Sequence, residues 1–312
     1  MIRRPNELVT VFGGDGFIGR YVCEKLLKSG VRVRVASRDP RNSYFIQPLG
    51  QVGQIGYVRA NITNEESVKR ALDGASAAVN LVGVFGRQGQ AIHVDGARNI
   101  ADAAKKGGAK AVVHISAMGA NPESPSIYGR TKGEGEIALK KAFKGATIIR
   151  PSLVFGSEDS LTNRFAAMAK LPVLPVVAAD RKFQPVYVRD LAKAIAQAAL
   201  EPSKHGGKTY EIGGPQVMTM IELHRAIVEL SGLTPEIVAL PDFVGDLMSR
   251  FGWLPGAPLT RDQWLMLSQD NVTSGKHPGL EAFGIRPTPL AAVGSEWLDR
   301  FGGNRFAGRA VA

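Results

Sequence analysis

In the stretch HISAMGANPESPSIYGRTKGEGE, Ser116, Tyr128 and Lys132 have the residue types that proton transfer beside a hydride carrier needs. Tyr128 and Lys132 form Y-x-x-x-K, one helical turn apart, so one helix can present both to the same cleft. The Lys132 cation would favour a tyrosinate and could hold a ribose. Tyr128 could then give or take a proton, and Ser116, ending the preceding strand, could bond a substrate oxygen. Y-x-x-x-K alone occurs by chance on many surface helices. The triad gains meaning only if a nucleotide site stands next to it.

Residues 13 to 19, GGDGFIG, supply that site. They follow the apolar run LVTVFG and precede Ile18, Val22 and Leu26 at four-residue steps, so the glycines sit between a strand and a helix that Gly30 stops. Glycine is needed there for a tight turn and for the approach of a phosphate that a Cβ would block, while the helix start offers free amides and its positive dipole end. The expected cofactor contacts are Gly13, Asp15, Gly16, Phe17, Ile18 and Gly19. Two registers fit: G-x-G-x-x-G from Gly14, or G-x-x-G-x-x-G from Gly13. The second strand ends Ala36-Ser37-Arg38, with Arg41 close behind and no carboxylate at the position that would bind ribose hydroxyls. A guanidinium there can pair with a 2′-phosphate, so Ser37 and Arg38 point to NADP(H) rather than NAD(H).

The elements that must position these groups are legible as alternation. LVTVFG, VRVRVAS, IGYVRANI, AAVNLVG and AKAVVHIS read as strands. Between them lie a helix over Glu65 to Leu72, begun by Thr63 or Asn64, and one from about Ala91 to Lys106. Arg32 and Arg34 suggest that one face of the second strand meets long, snorkelling side chains. After Arg150 and Pro151 the pattern loosens. ATIIRPSLVFG reads as a sixth strand, Leu161 to Lys170 as a helix, and strands near 184 and 209 are expected to rejoin the main sheet. From Thr219 the chain is mostly helical, with Pro and Gly breaks at 255–258 and 275–279. The fold class expected is α/β, a Rossmann-type doubly wound parallel sheet with a smaller, mostly helical C-terminal cap. The nucleotide domain would span 1–155, rejoined by about 180–214, and the cap or docking region about 156–179 and 215–312.

At 312 residues, 44% hydrophobic and 21% charged, the composition is that of a globular protein with a sizeable core. Cys23, the only cysteine, excludes an internal disulfide and is expected to be buried and inert. The five histidines are scattered without a close pair, so no metal site is expected. MIRRPNE turns polar at once, giving no signal peptide, and LPVLPVVAA is too short and proline-broken to span a bilayer. A net charge of +11 fits a solvated basic surface, an anionic membrane face or an acidic partner; no nucleic-acid reading surface appears. Trp253, Trp264 and Trp297 are expected to pack in a core or against a partner, and RFGGNRFAGRAVA to be a tail or docking arm.

Taken together, the glycine turn in the Gly13 register, Ser116, Tyr128 and Lys132 resemble the extended short-chain dehydrogenase/reductase superfamily, which includes the NAD-dependent epimerase/dehydratase family. HVDGARNIADAAKKGGAKAVVHIS with Asn99, IRPSLVFG, PVYVRDLAKAI and YEIGGPQVMTMIEL match familiar blocks in order. The resemblance implies that Arg150-Pro151, Leu153 and Val154 approach the nicotinamide, Asn61 and Ile62 the adenine, and Leu81, Val82 and Gly83 the length of the cofactor. His93 stands where the superfamily usually has asparagine, and Asn61 where it often has aspartate. The short Ser116-to-Tyr128 spacing weakens a nucleotide-sugar assignment. PLTRDQWLMLSQDNVTSGKHPGLEAFGIRPTPL resembles the nucleotide-binding accessory subunits of respiratory complex I and their bacterial relatives. That narrower resemblance implies an NADP(H)-holding structural or regulatory subunit beside peripheral-arm subunits near the quinone site. It would be peripheral on the inner face, cytoplasmic or matrix, of an energy-transducing membrane. A free-standing NADP(H)-dependent reductase, dehydrogenase or epimerase using Ser116, Tyr128 and Lys132 stays open beside it.

Overall fold

The computed structural model describes residues 7–254 and 259–302, so the readings for MIRRPNE up to Asn6, for 255–258 and for the tail from 303 lie outside the described residues. Every residue of Leu8–Phe12 (β1), Ala77–Asn80 (β4) and Ala111–Ile115 (β5) is buried, the signature of strands covered on both faces rather than on one. With Arg32–Ser37 (β2), Ile55–Arg59 (β3), Thr147–Pro151 (β6) and Thr209–Ile212 (β11) they form a seven-stranded parallel sheet in the order β11-β6-β5-β4-β1-β2-β3. The fold is the doubly wound, Rossmann-like α/β architecture that the alternation predicts. The order reverses between β1 and β4, which opens a crevice at the carboxyl ends of those strands.

Helices Glu65–Leu72 (α2), Gly96–Lys106 (α3) and Ile127–Ala142 (α4) bury Val68, Ala71, Ile100, Ala104 and Leu139 against Phe12, Val112 and Ile148 on one face. Phe17–Lys28 (α1) and Val188–Leu200 (α6), which runs into the short Pro202–His205 (α7), pack together on the other. Asn64 caps α2 through a bond from the Ser67 amide to its side chain. Arg34 does meet a long-reaching role: its guanidinium donates to the Ala71 and Asp73 carbonyls at the end of α2, at 2.9 and 2.6 Å. Cys23 is fully buried, and burial pushes its thiol up to about 12.

The chain divides into two units, and the first takes up the residues to Pro151, Val188–Ile212 and Ser274–Arg286. A carboxylate–guanidinium–carboxylate chain explains how the late segments are held there. Arg150 of β6 donates to both oxygens of Glu136 on α4, at 2.8 and 2.7 Å, and lies 3.8 Å from Glu211 of β11. Glu211 in turn accepts from the Ser274 amide at 2.6 Å. Arg150, which the resemblance sends toward the nicotinamide, is thus committed to pairing two nearly buried acids.

The second unit comprises Ser152–Tyr187, Gly213–Thr273 and the segment from Pro287. Its strands are Val154–Phe155 (β7), Val173–Val176 (β8), Lys182–Phe183 (β9), Val186–Tyr187 (β10), Met218–Thr219 (β12) and Glu236–Ala239 (β13). Its helices are Ser160–Met168 (α5), Met220–Ser231 (α8), Asp242–Arg250 (α9), Arg261–Leu267 (α10), Leu290–Val293 (α11) and Ser295–Leu298 (α12). Phe155, Val176, Phe183, Leu223, Ile227 and Trp297 share its core. Thr219 and Glu222 form a reciprocal capping box at the start of α8. The strand expected near 184 does not rejoin the main sheet, although β11 does. Pro185 cannot donate a ladder bond and splits the run into β9, antiparallel to β12, and β10, parallel to β7. ATIIRPSLVFG is likewise two strands, broken at Ser152, whose hydroxyl turns to the Asn271 carbonyl at 2.8 Å.

Candidate functional site

The glycine turn takes the Gly13 register. Gly13 has φ +75°, a conformation that disfavours side chains, and its amide donates to the Ala36 carbonyl at 3.1 Å. Gly16 is the exposed N-cap of α1, without a side-chain cap and without an acid in the first turn, so the helix start keeps free amides for an anion. A Cβ on Gly19 would lie 2.2 Å from the Gly13 oxygen and 2.6 Å from the Gly14 Cα, both backbone atoms. Gly14 is spared a Cβ for space alone, wedged between Val35 and Cys23. Asp15, Phe17 and Ile18 are half-buried on the same crest, and Leu81 and Val82, following β4, lie against Gly13. Gly19→Ala is expected to push α1 off the turn, weakening dinucleotide binding about tenfold and lowering Tm by several degrees. Dye-monitored melting with and without NADPH measures both effects.

Beyond β2 a recess of about 410 Å³ is lined by Arg38, Arg59, Ala60, Asn61, Asn64, Ser67 and Arg70. The parallel register sets Ser37 opposite Arg59, and the Ala60 amide donates to the Ser37 carbonyl, so the ends of β2 and β3 deliver two guanidiniums side by side. α2 adds the third. Among the described residues none of the three is in an ion pair. Sequence reading found Arg38 and missed Arg59 and Arg70, whose arrival depends on strand register and helix docking. Arg41 does not join them: its Nε and a terminal nitrogen both bond Asp39 at 2.9 Å. Asp39, the carboxylate that follows Arg38 directly, is neutralised by that hydrogen-bonded pairing, which also holds its carboxyl below the usual range. Asn61 spends its carboxamide oxygen on Thr63, and Asn99 holds the buried Ile62 by its carbonyl at 3.0 Å. Ser37 is buried, its hydroxyl 3.3 Å from Ser43.

The third cluster surrounds α4. Lys132 is buried and donates to the Ile115 carbonyl at 2.9 Å, next to Ser116, with its ammonium 5.8 Å from the centre of the Tyr128 ring. Burial pushes its pKa down to about 8, against the pull of Glu136. The Ser116 hydroxyl is buried and has no hydrogen-bond partner among the described residues. Phe85, exposed, stacks on Tyr128 at 4.3 Å, and His93 meets the same ring edge-on. His93 accepts from the Val84 amide through Nε2, so its proton sits on Nδ1 and goes to Thr131 Oγ1 at 2.8 Å. It lies in a π-helical turn, Gln90–Asp95, that precedes α3, and Gly135 has no Cβ because His93's carbonyl would stand 2.1 Å from it. A Cβ on Gly83 would lie 3.2 Å from the Lys132 ammonium, placing Gly83 in this cluster. Pro151 ends β6 in the first unit, accepting from the Met118 amide; Leu153 and Val154 fall in the second unit, where the Leu153 carbonyl bonds Val186. Among the described residues no group of three His, Cys, Asp or Glu could hold a metal ion.

A dinucleotide fits these residues: the cradle is closed to Cβ atoms, the start of α1 has no side-chain cap, and among the described residues a buried hydroxyl lacks a partner. The NAD dependent epimerase/dehydratase family matches residues 9–213. The chain is similar, at 32% identity over 94% of its length and 80% of the relative's, to NADH dehydrogenase (ubiquinone) 1 alpha subcomplex subunit 9, mitochondrial, of Rattus norvegicus. It is 27% identical to the ceramide reductase of Caulobacter vibrioides, over 75% of this chain and 74% of that one. An NADPH-dependent quinone oxidoreductase from Escherichia coli, solved with NADPH, has the same fold, with a TM-score of 0.75 at 23% identity over 92% and 99% of the two chains.

Proposed function

The chain belongs to the NAD-dependent epimerase/dehydratase family, and from that premise we propose that it is an NADP(H)-holding accessory subunit of a respiratory NADH:quinone oxidoreductase. The observation that carries this reading is similarity to the mitochondrial subunit over nearly the whole chain, including the late segments, rather than over the nucleotide domain alone. The first unit is the cofactor-holding part and the second the cap that docks on peripheral-arm subunits near the quinone site. Among the described residues no helix is long and apolar enough to cross a membrane, which suits peripheral attachment at the inner face.

Each cluster has a task in holding the nucleotide. The free amides at Phe17 and Ile18, in the first turn of α1, take the diphosphate, and Arg38, Arg59 and Arg70 take the 2′-phosphate. Asn61 has its carboxamide donor left for the adenine. Lys132 bonds the ribose and Ser116 finds its missing partner near the nicotinamide. When bound, the reduced nicotinamide supplies hydride. A second reading, a free-standing reductase, is favoured by the lowered Lys132 beside Tyr128, a pair able to move a proton near neutral pH.

Two measurements separate the readings. Solubilised in mild detergent, the protein should co-migrate with membrane NADH:quinone oxidoreductase and release NADP(H) on denaturation. A wholly soluble protein that turns over a carbonyl substrate refutes the subunit reading. Lys132→Met is expected to weaken NADPH about tenfold under either reading, whereas Tyr128→Phe should leave affinity within threefold. A hundredfold loss of turnover in Tyr128→Phe would establish the enzyme.

A further inference from the structure

Helix α9 is amphipathic the wrong way round. Its small residues face inward: Gly245 lies so close to Trp264 of α10 that a Cβ would stand 2.3 Å from the ring, and Ser249 is buried on the same side. Its large residues face outward. Phe243 is 70% exposed, and Leu247, Phe251 and Leu254 continue the stripe at helical spacing, joined by Trp253 at 76%. Five large apolar side chains in one stretch expose on the order of 600 Å², the upper end of what a soluble monomer leaves bare. Among the described residues that face is left to solvent and contributes no burial.

Charge decides what covers it. Asp242 is paired with Arg181, whereas Asp246 serves both Arg250 and Arg261, leaving one guanidinium in surplus at the carboxyl end of α9. A helix built for an anionic bilayer carries lysines and arginines along its polar face, and here the charged residues of α9 are Asp242, Asp246 and a single base, Arg250. The basic surplus of the chain lies elsewhere: the segments of the first unit carry 29 basic and 16 acidic side chains, those of the second 10 and 12. We propose that the α9 face is the docking surface of the accessory subunit. It seats Phe243, Leu247, Phe251 and Trp253 in an aliphatic groove of a neighbouring oxidoreductase subunit that places a carboxylate opposite Arg250 and Arg261. This rests on the accessory-subunit reading and adds to it the surface and the chemistry of the partner.

The test uses the full chain in native membranes, with Phe243→Ser/Leu247→Ser and, separately, Arg250→Glu. All three side chains are exposed, so melting and NADPH retention should match the parent. The double variant is expected to lose at least tenfold of its co-migration with NADH:quinone oxidoreductase, and Arg250→Glu severalfold. Co-migration of the double variant at the parent's level overturns the surface while leaving the subunit reading standing. Failure of the parent itself to co-migrate overturns both. Parent protein that binds protein-free phosphatidylcholine/phosphatidylglycerol vesicles, or that sediments as a dimer, through these same residues assigns the face to lipid or to a second copy and overturns the proposal.

Discussion

Arg38→Asp is expected to weaken NADPH binding by two to three orders of magnitude while changing NADH affinity no more than fewfold. The change removes one of three guanidiniums from a recess that holds no counter-charge. A charge-assisted hydrogen bond to phosphate contributes about 1.5–3 kcal/mol, and a carboxylate in its place adds repulsion of about 1 kcal/mol. The NADH ribose meets no such penalty and gains an acceptor for its hydroxyls. Arg59→Ala removes a charge without reversing one, so about tenfold is expected, again for NADPH alone. Titration of nucleotide fluorescence at two salt concentrations measures this, and the NADPH preference should shrink as salt rises. Equal losses for both nucleotides in Arg38→Asp would mean that the recess does not hold a phosphate.

The same recess marks the boundary of what the sequence reveals. Gly13, Gly16 and Gly19 were readable because a turn between a strand and a helix is a local event, and so was the cap at Asn64. Arg38 was readable from its place at a strand end. Arg59 and Arg70 were not, because nothing in the order of residues says that Ser37 will stand opposite Arg59 or that α2 will turn Arg70 toward both. Asp39 was passed over as a competitor, and only the geometry shows Arg41 neutralising it. The triad region follows the same division. Y-x-x-x-K announced Tyr128 and Lys132, but the stacked Phe85 and the bond from His93 to Thr131 depend on a π-helical turn that apolar periodicity does not encode. The apolar stripe of α9 belongs with them, since only the structure shows that its large residues face solvent.

Net charge offers a similar lesson. A value of +11 suggests a membrane or an acidic partner when spread over the whole chain. Divided between the units, it becomes +13 on the segments of the first, from 29 basic and 16 acidic side chains, and −2 on those of the second, from 10 and 12. The positive potential therefore surrounds the sheet that offers anion sites, and raises the local concentration of a tetra-anionic nucleotide before any specific contact forms. The docking surface relies mainly on apolar contact, with one surplus guanidinium beside it.

Mild acid is expected to unfold the first unit before the second. Burial, with the Lys132 charge adding, pushes His93 down to about 3; burial also holds His114 well below and His205 below the ordinary histidine range. The second unit has one such group, His224, which burial takes to about 4 against the opposing bond to the Met220 carbonyl. His93 and His224 stay neutral in the folded state through pH 5 and take a proton near pH 6.5 only when the chain unfolds. The stability these histidines represent is therefore complete above pH 6.5 and is lost as pH falls below it, at about 1.4 kcal/mol per pH unit for each of His93 and His224. Between pH 6.5 and 5 His224 should cost the second unit about 2 kcal/mol and His93 should cost the first as much, with His114 and His205 adding in the same direction. All three tryptophans lie in the segments of the second unit, so their fluorescence reports it alone while far-ultraviolet dichroism reports both. Without nucleotide, the dichroism transition should precede the fluorescence transition by several degrees at pH 5 and coincide more closely at pH 7.5. His224→Leu, which keeps an apolar side chain against Phe165, should flatten the fluorescence-detected slope alone. Transitions that keep the same separation from pH 7.5 to 5 would show that these imidazoles find protons in the folded state, and that the polar clusters around them are open to water.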